Sequence, residues 1–487
     1  MILLPVLLPL AAGLVLLLIR PIGESCTARM VLVPAALVLT VTANLYLASQ
    51  PDVSLLLWQL APEMPIYFHL DNLTRLFSLL TSGIWCIAGV FSLQYMQHEG
   101  GERRFFCVYL LVLAILMGLD YAGSLITFYV FYELVTLSSF LLVIHSGTHE
   151  AIMAGLKYLF YSVAGAFMAL FGVFFLYSTT SDLVFTPGGV LPASFIPGER
   201  ERLLIALALL MLGFSAKAGM FPLHGWLPAA HPVAPAPASA VLSGIITKSG
   251  VLALIRVLYY IAGVDFLRGT WVQYAYLSLT LITVLMGSMM AYYEPVLKKR
   301  LAYSTVSQVS YVLFGIGLMT PVGLAGALCH VLFHATIKCG LFLAAGAFIY
   351  QTGRTKVADL RGVGKNMPVT VWSFALCSLA LVGIPPASGF VSKWLLATGA
   401  LDAGVGVWGY LGPVILLVSA LLTAGYLFPV VSRGFFPGEG YESGITCREA
   451  PGLMIVPVVL LAVLAILLGI FHTPYNKLLT AVLGGLF

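Results

Sequence analysis

Apolar residues along this chain run in long blocks, broken at clusters of charge, Gly or Pro. A helix crossing about 30 Å of hydrocarbon needs about 20 mainly apolar residues. Fourteen windows fit that pattern: 2–19, 30–49, 73–96, 105–119, 121–144, 156–178, 203–223, 236–260, 271–292, 303–320, 322–350, 369–400, 410–432 and 453–471. Two divisions rest on single features. Asp120 separates two windows that nearly abut, and Thr320-Pro321 divides the apolar stretch from 303 to 350. The first window lacks a basic leader and a cleavage pattern, so it reads as a retained span rather than a signal peptide. Residues 51–71 hold no Lys or Arg and read as a short hairpin on the outer face.

Composition sharpens this into an all-α polytopic membrane protein. Of 487 residues, 60% are hydrophobic and 9% charged, against about 45–50% and about 25% in an average soluble domain. A net charge of +5 is too thinly spread for a nucleic-acid-binding face. The seven Cys form no CxxC pair and fall mostly in apolar runs. They read as small buried hydrophobes, not as disulfides or cluster ligands. No GxxxxGK[ST] and no GxGxxG leading a soluble α/β unit occurs, so no cofactor is expected, and energy must come from an ion gradient or a partner.

Basic residues orient the chain, because cytoplasmic loops carry the Lys and Arg excess. Alternate loops on one side hold Arg20, Arg29, Arg103, Arg104, Lys157, Lys298, Lys299, Arg300, Arg354, Lys356, Arg361, Lys365, Arg433 and Arg448. The other side, with both termini, holds Arg200, Arg202, Arg268 and Lys477. Both ends should therefore lie outside the cytoplasm. Arg75, Lys217, Lys248, Arg256, Lys338 and Lys393 remain inside or at the edges of spans, and among the acids only Glu133 is placed well inside one.

Each central charge costs about 2.5–3.5 kcal/mol on insertion scales, so such residues mark function or need partners. One acid cannot neutralise Lys217, Lys248, Lys338 and Lys393 together. Some of these lysines are then expected to be neutral part of the time, since burial disfavours the ammonium and a nearby carboxylate favours it.

Four constellations carry the chemistry. Glu133 sits in YVFYELVTLSSFLLVIH (129–145), with Thr136, Ser138 and Ser139 able to solvate a carboxylate or water. Lys217 precedes a break at Pro222, Pro228, Pro232, Pro235 and Pro237, where His224 and His231 are candidate polar caps or proton acceptors. Backbone interrupted this way is tolerated in a membrane only where protein or water lines the gap. Lys248 follows within SGIITKSG, beside Thr247. His330, His334 and Lys338 recur at i, i+4 and i+8 on one helix face. Their steps of about 6 Å suit one or two bridging waters. A zinc pair would lack the intervening Glu of HExxH, so a proton relay is the better match and no metal is assigned. Lys393 follows Pro385-Pro386 in GIPPASGFVSKW, repeating the interrupted helix that carries Lys217. Paired broken helices in two halves of a chain point to inverted repeats with a path near the midplane. The segment LAYSTVSQVSY (301–311), holding Ser304 and Gln308, is a hydroxyl-rich helix start behind a basic turn.

Taken together, FHLDNLTRLF (68–77), the YEL at Glu133, KAGMFPLHGWLPAAHPVAPAPASAVLSGIITKSGVLALIRV (217–257), LAYSTVSQVSY, HVLFHATIK (330–338) and GIPPASGFVSKW (383–394) resemble the antiporter-like proton-translocating subunits of respiratory complex I, multisubunit (Mrp-type) cation/proton antiporters and membrane-bound energy-converting hydrogenases. The resemblance covers most of 68–400 in the family's order. It implies fourteen helices, with helices 1–3 and the hairpin in 1–104, inverted five-helix repeats at 105–260 and 271–432, and a C-terminal helix in 453–487. It further implies a Glu133/Lys217 pair, a central Lys248, a His330/His334/Lys338 connection and Lys393 as terminal exchange group. Serving these, His224, His231, Ser138, Thr247, Ser304 and Gln308 are accessory candidates, although Gln308 stands where many relatives carry His. The chain stops short of the long lateral helix of the most distal complex I subunit. Lys rather than Glu at 393 is closer to the hydrogenase and antiporter members.

The function expected is therefore proton translocation, or Na⁺/H⁺ antiport, by one membrane subunit of an energy-converting complex in a prokaryotic cytoplasmic (inner) membrane. Its partners would be other membrane subunits and peripheral redox subunits, with no redox site in this chain. Rival readings are a non-conducting scaffold that docks redox subunits and a solute permease. A dry path from Lys217 to Lys393 would favour the scaffold, and a midplane pocket larger than a water file the permease.

Overall fold

The computed structural model describes residues 1–61, 64–180, 183–191, 197–438 and 447–487. Every apolar window carries a helix: Leu4–Leu18, Cys26–Ala48, Asn72–Glu99, Glu102–Asp120, Leu125–Val143, His149–Thr179, Pro197–Ala218, Ala236–Ala262, Trp271–Tyr293, Leu297–Gly317, Pro321–Thr352, Val407–Phe435, Gly452–Ile470, and the pair Pro368–Val382 and Ser388–Asp402 within the twelfth. Among the described residues, nine of these are long and apolar enough to cross a membrane unaided. Leu4–Leu18 falls short with 15 residues, and Glu102–Asp120 carries charge at both ends.

The divisions have local causes. The helix ending at Asp120 gives way to one capped by Ser124, whose hydroxyl accepts from the Thr127 N–H. Thr320 does the same for the Gly323 N–H ahead of Pro321, the first helical position, where a missing N–H costs nothing. Asp71 caps the Asn72–Glu99 helix by accepting from the Thr74 N–H at 2.7 Å.

Two elements depart from a purely helical chain of fourteen spans. Strand Val53–Ala61 pairs antiparallel with strand Met64–Leu70, in the stretch expected to hold a hairpin. A further helix, Thr473–Gly484, lies beyond the last window. At 12 residues, with Asn476, Lys477 and Thr480 between its apolar positions, it holds no continuous apolar run of spanning length.

Helix Ala236–Ala262 runs through the centre and is buried throughout. Its contact with helix Pro197–Ala218 depends on Gly250, where a Cβ would lie 2.7 Å from the Ala218 nitrogen and the Phe214 oxygen. Wider π turns at Leu242–Ile246 and Arg256–Ala262 flank the Lys248 turn. Such turns recur at functional positions because they re-aim side chains and loosen the backbone ladder.

Several charges counted as loop residues are in fact packed. Lys298 and Arg300 are buried at the start of Leu297–Gly317. Lys298 donates to the Pro232 and Ala234 carbonyls, tying down the Pro-rich break. All seven Cys are free, and Cys26 is exposed while Cys107, Cys329, Cys339 and Cys377 are buried.

Candidate functional site

Lys217 ends its helix one residue before the chain breaks, and its side chain is fully buried. The Nζ donates to the Tyr132 carbonyl at 2.6 Å and lies 3.5 Å from the centre of the Tyr132 ring. The carbonyl and the π face together replace much of the ammonium's hydration. Glu133 is the next residue along, yet no ion pair within 4 Å joins it to Lys217 among the described residues. The Glu133 side chain is half-buried and its Oε1 has no hydrogen-bond partner. The nearby hydroxyls are committed elsewhere. Thr136 and Ser138 donate to carbonyls of their own helix, and Ser139 pairs with Tyr158.

The centre of the site is a contact between two distant segments. Lys248 Nζ lies 2.6 Å from His334 Nδ1, 2.7 Å from the Ser243 carbonyl and 3.4 Å from Thr247 Oγ1. Three acceptors match the three donors of an ammonium. His334 and His330 are stacked with ring centroids 6.0 Å apart, and the Nε2 atoms of both lack partners. His330 Nδ1 lies 2.8 Å from Ser392 Oγ, on the helix that carries Lys393. The helical spacing of 330 and 334 thus stacks the two rings on one face of the helix. Lys338, a turn further on, donates to the Leu301 carbonyl at 3.1 Å.

Lys393 uses the second break. Its Nζ donates to the Leu381 and Val382 carbonyls at 2.7 and 2.8 Å, the last two residues of Pro368–Val382. Helix C-termini leave carbonyls unpaired and carry partial negative charge, so the break supplies the lysine's ligands. The Tyr311 ring lies 5.2 Å from this Nζ and stacks on His330 at 5.5 Å.

The accessory candidates divide. Thr247 touches Lys248, and Ser304 pairs with Tyr426 at 2.6 Å. Gln308 is fully buried with its amide unpartnered, one turn before Tyr311. His231 is buried against the Phe342 ring at 4.7 Å with neither ring nitrogen bonded, and His224 is partly exposed beside Phe221. Among the described residues, no hydrogen bond joins His231 to Lys248, His330, His334 or Lys338.

Counting acids by window missed two groups. Asp120 ends its helix, as the break between windows implies, and is nevertheless 3% exposed, less than Glu133, with no partner at its Oδ2. Asp71 binds Arg256 through both oxygens, at 2.5 and 3.0 Å. Glu133 is therefore not the single acid in the interior. Asp120 gave no signal beyond its position between two apolar windows, and the Asp71–Arg256 pairing spans 185 residues.

A chain of buried amines and imidazoles threaded through two broken helices defines an ion-handling membrane protein. The family described as NADH:quinone oxidoreductase/Mrp antiporter, transmembrane, matches residues 122–423, and the complex I chain 5 N-terminus family matches 61–106. The chain belongs to this family of antiporter-like membrane subunits. It is 33% identical over 425 residues to NADH-quinone oxidoreductase subunit N of Desulforudis audaxviator, covering 84% of this chain and 83% of that protein. Against a Na(+)/H(+) antiporter subunit of Bacillus subtilis it is 29% identical over 478 residues, covering 96% and 93%. Hydrogenase-4 component B of Escherichia coli is 31% identical over 428 residues, 82% of this chain and 62% of that one. Among solved structures, a chain of the Mrp complex from Dietzia shares the fold with a TM-score of 0.86 at 24% identity, over 100% of this chain and 97% of that one. A chain of respiratory complex I from Thermus thermophilus aligns with a TM-score of 0.82 at 25% identity, over 100% of both. Its relatives are membrane subunits of ion-translocating complexes, and so is the class of this chain.

Proposed function

We propose that this chain moves protons through its interior as one subunit of a multisubunit energy-converting complex. The observation that carries the proposal is the run from Lys248 through His334 and His330 to Ser392, beside Lys393. Lys248 releases a proton to His334 Nδ1. The imidazolium then gives up its Nε2 proton through one water to His330 Nε2. His330 discharges from Nδ1 toward Ser392 and so to Lys393. An imidazole suits each step because it accepts at one nitrogen and releases at the other. Lys217, held by the Tyr132 carbonyl, loads the entry side, and Glu133 controls it by approaching or leaving that ammonium.

In this reading the chain has fourteen spans with both termini outside the cytoplasm, in a prokaryotic inner membrane. Its repeats at 105–260 and 271–432 are inverted, with 1–104 and 453–487 flanking them. Other membrane subunits, and redox subunits attached to them, supply the driving force. Protons are the primary cargo, and exchange against Na⁺ is tested by the same assay. The complex is reconstituted in proteoliposomes and internal pH followed, with and without Na⁺. Lys217→Ala and Glu133→Ala should each abolish ion movement while the complex still assembles. Translocation at the unmodified rate in both variants would overturn the assignment and leave the scaffold reading.

A further inference from the structure

The charged surface where the first helices meet does not enter the relay. Glu24, Arg29, Gly101, Glu102, Arg103 and Arg104 line an open surface pocket of about 520 Å³ there. It lies on the arginine-rich side of the chain, the side expected to face the cytoplasm. With the neighbouring Arg20, the patch holds four guanidinium groups and two carboxylates, an excess of two positive charges.

The carboxylates are already engaged. Glu102 pairs with Arg29 at 2.7 Å, and Glu24 pairs with Arg20 at 2.7 Å and reaches Arg103 at 3.8 Å. Arg103 is otherwise held by the Leu16 and Leu17 carbonyls at 3.0 and 2.6 Å. Arg104 donates to the His145 carbonyl and has no carboxylate within ion-pair distance among the described residues. Arg29 is 6% exposed and its Nε–H has no acceptor. Helix Glu102–Asp120 starts in the same wall, from Gly101, which has no side chain to cap the first-turn N–H groups. A helix N-terminus left open in this way carries partial positive charge and suits an anion.

We propose that this open pocket binds the phosphodiester of an anionic phospholipid. The apolar surroundings favour a lipid over a soluble anion. Leu17, Leu18 and Ile19 at the end of the first helix are 54%, 74% and 44% exposed, and Val31, two residues beyond Arg29, is 65% exposed. An acyl chain can lie along these side chains while its headgroup oxygens reach Arg103, Arg104 and the open N–H groups. Arginine suits this role because its planar fork matches phosphate oxygens.

The test uses the whole complex in nanodiscs of phosphatidylcholine with a graded fraction of phosphatidylglycerol, and counts retained lipid by native mass spectrometry. The unmodified complex should retain phosphatidylglycerol selectively. Arg103→Gln and Arg104→Gln should each weaken that retention about 5-fold, the worth of one basic side chain at an anionic surface. Glu24→Gln removes a competing carboxylate and should strengthen retention by a similar factor, a gain that damaged folding cannot produce. Equal retention across all four proteins, or displacement of the lipid by millimolar inorganic phosphate in place of lipid competition, would overturn the proposal. So would finding another subunit seated on these residues in the assembled complex.

Discussion

Replacing His334 separates the two things its contact with Lys248 does. The Nδ1 atom is the nearest of the three acceptors around Lys248 Nζ, at 2.6 Å against 2.7 and 3.4 Å for the others. Both side chains are almost completely buried, so water cannot readily take its place. Losing a hydrogen bond to a charged, buried group costs about 1.5–3 kcal/mol. His334→Ala should therefore destabilise the purified complex by about that amount, read as a lowered unfolding transition. It should also reduce proton uptake into proteoliposomes by about 100-fold or more, the usual contribution of a positioned proton-transfer group. His334→Asn is the decisive variant. Its amide oxygen can still accept from Lys248 and should recover most of the stability. An amide does not take up a proton at one atom and release it from another near neutral pH, so uptake should stay as low as in the Ala variant. Near-normal uptake with Asn would refute the relay, and unchanged stability with Ala would refute the energetic account of the contact.

Other expectations follow from the packing and the outer ion pair. Gly250→Ala places a methyl against the backbone of the Lys217 helix and should cost about 1–3 kcal/mol by overpacking, seen as reduced thermal stability and slower translocation. Ser392→Ala removes the hydroxyl at His330 Nδ1; uptake should fall while Ser392→Thr restores it. At Asp71, burial pushes the carboxyl upward, but the Arg256 charge and hydrogen bonds from Arg256 and Thr74 outweigh it and bring the pKa to about 2. A folded-state pKa below the unfolded value, about 3.9, gives stability that is complete above roughly pH 5 and is lost as pH falls toward 2. Asp71→Asn should cost about 2 kcal/mol at neutral pH and flatten that acid limb of the stability profile.

The legible part of this protein was whatever a single helix or break encodes. Continuous apolar runs located the helices, and Pro clusters after Lys217 and before Lys393 located both interruptions. The i, i+4 interval of His330 and His334 gave the ring separation. Contacts between remote segments left no such trace. Lys248 meets His334 across 86 residues, and π turns around Lys248 have no composition that marks them. Asp120 is a boundary, as a lone charge between apolar windows suggests, but its burial left no trace in the sequence. Here the helix simply stops on a buried acid. The Ser and Thr residues near Glu133 misled in another way, since a hydroxyl in an apolar helix bonds the carbonyl one turn back.

The charge imbalance that first suggested titratable lysines also has a structural answer. Lys217, Lys248, Lys338 and Lys393 each donate to at least one backbone carbonyl. A carbonyl is a neutral acceptor, so it can hold an amine and an ammonium alike, whereas a carboxylate partner would lock in the charged form. Four buried lysines therefore do not require four acids. They require carbonyls: a π turn and a helix end supply those of Lys248 and Lys393, whereas Lys217 and Lys338 bond carbonyls within the continuous helices Leu125–Val143 and Leu297–Gly317. At Lys248 and Lys393 the irregular backbone and the buried lysine are thus linked. Neutral carbonyl acceptors hold the amines without fixing their protonation, and in the proposed mechanism the Glu133 carboxylate, whose Oε1 has no partner, biases it. Moving a carboxylate permanently beside one amine, for example with Ser243→Asp next to Lys248, should preserve assembly but arrest proton uptake, because the ammonium would then be held charged. Continued uptake in that variant would show that lysine protonation does not set the rate.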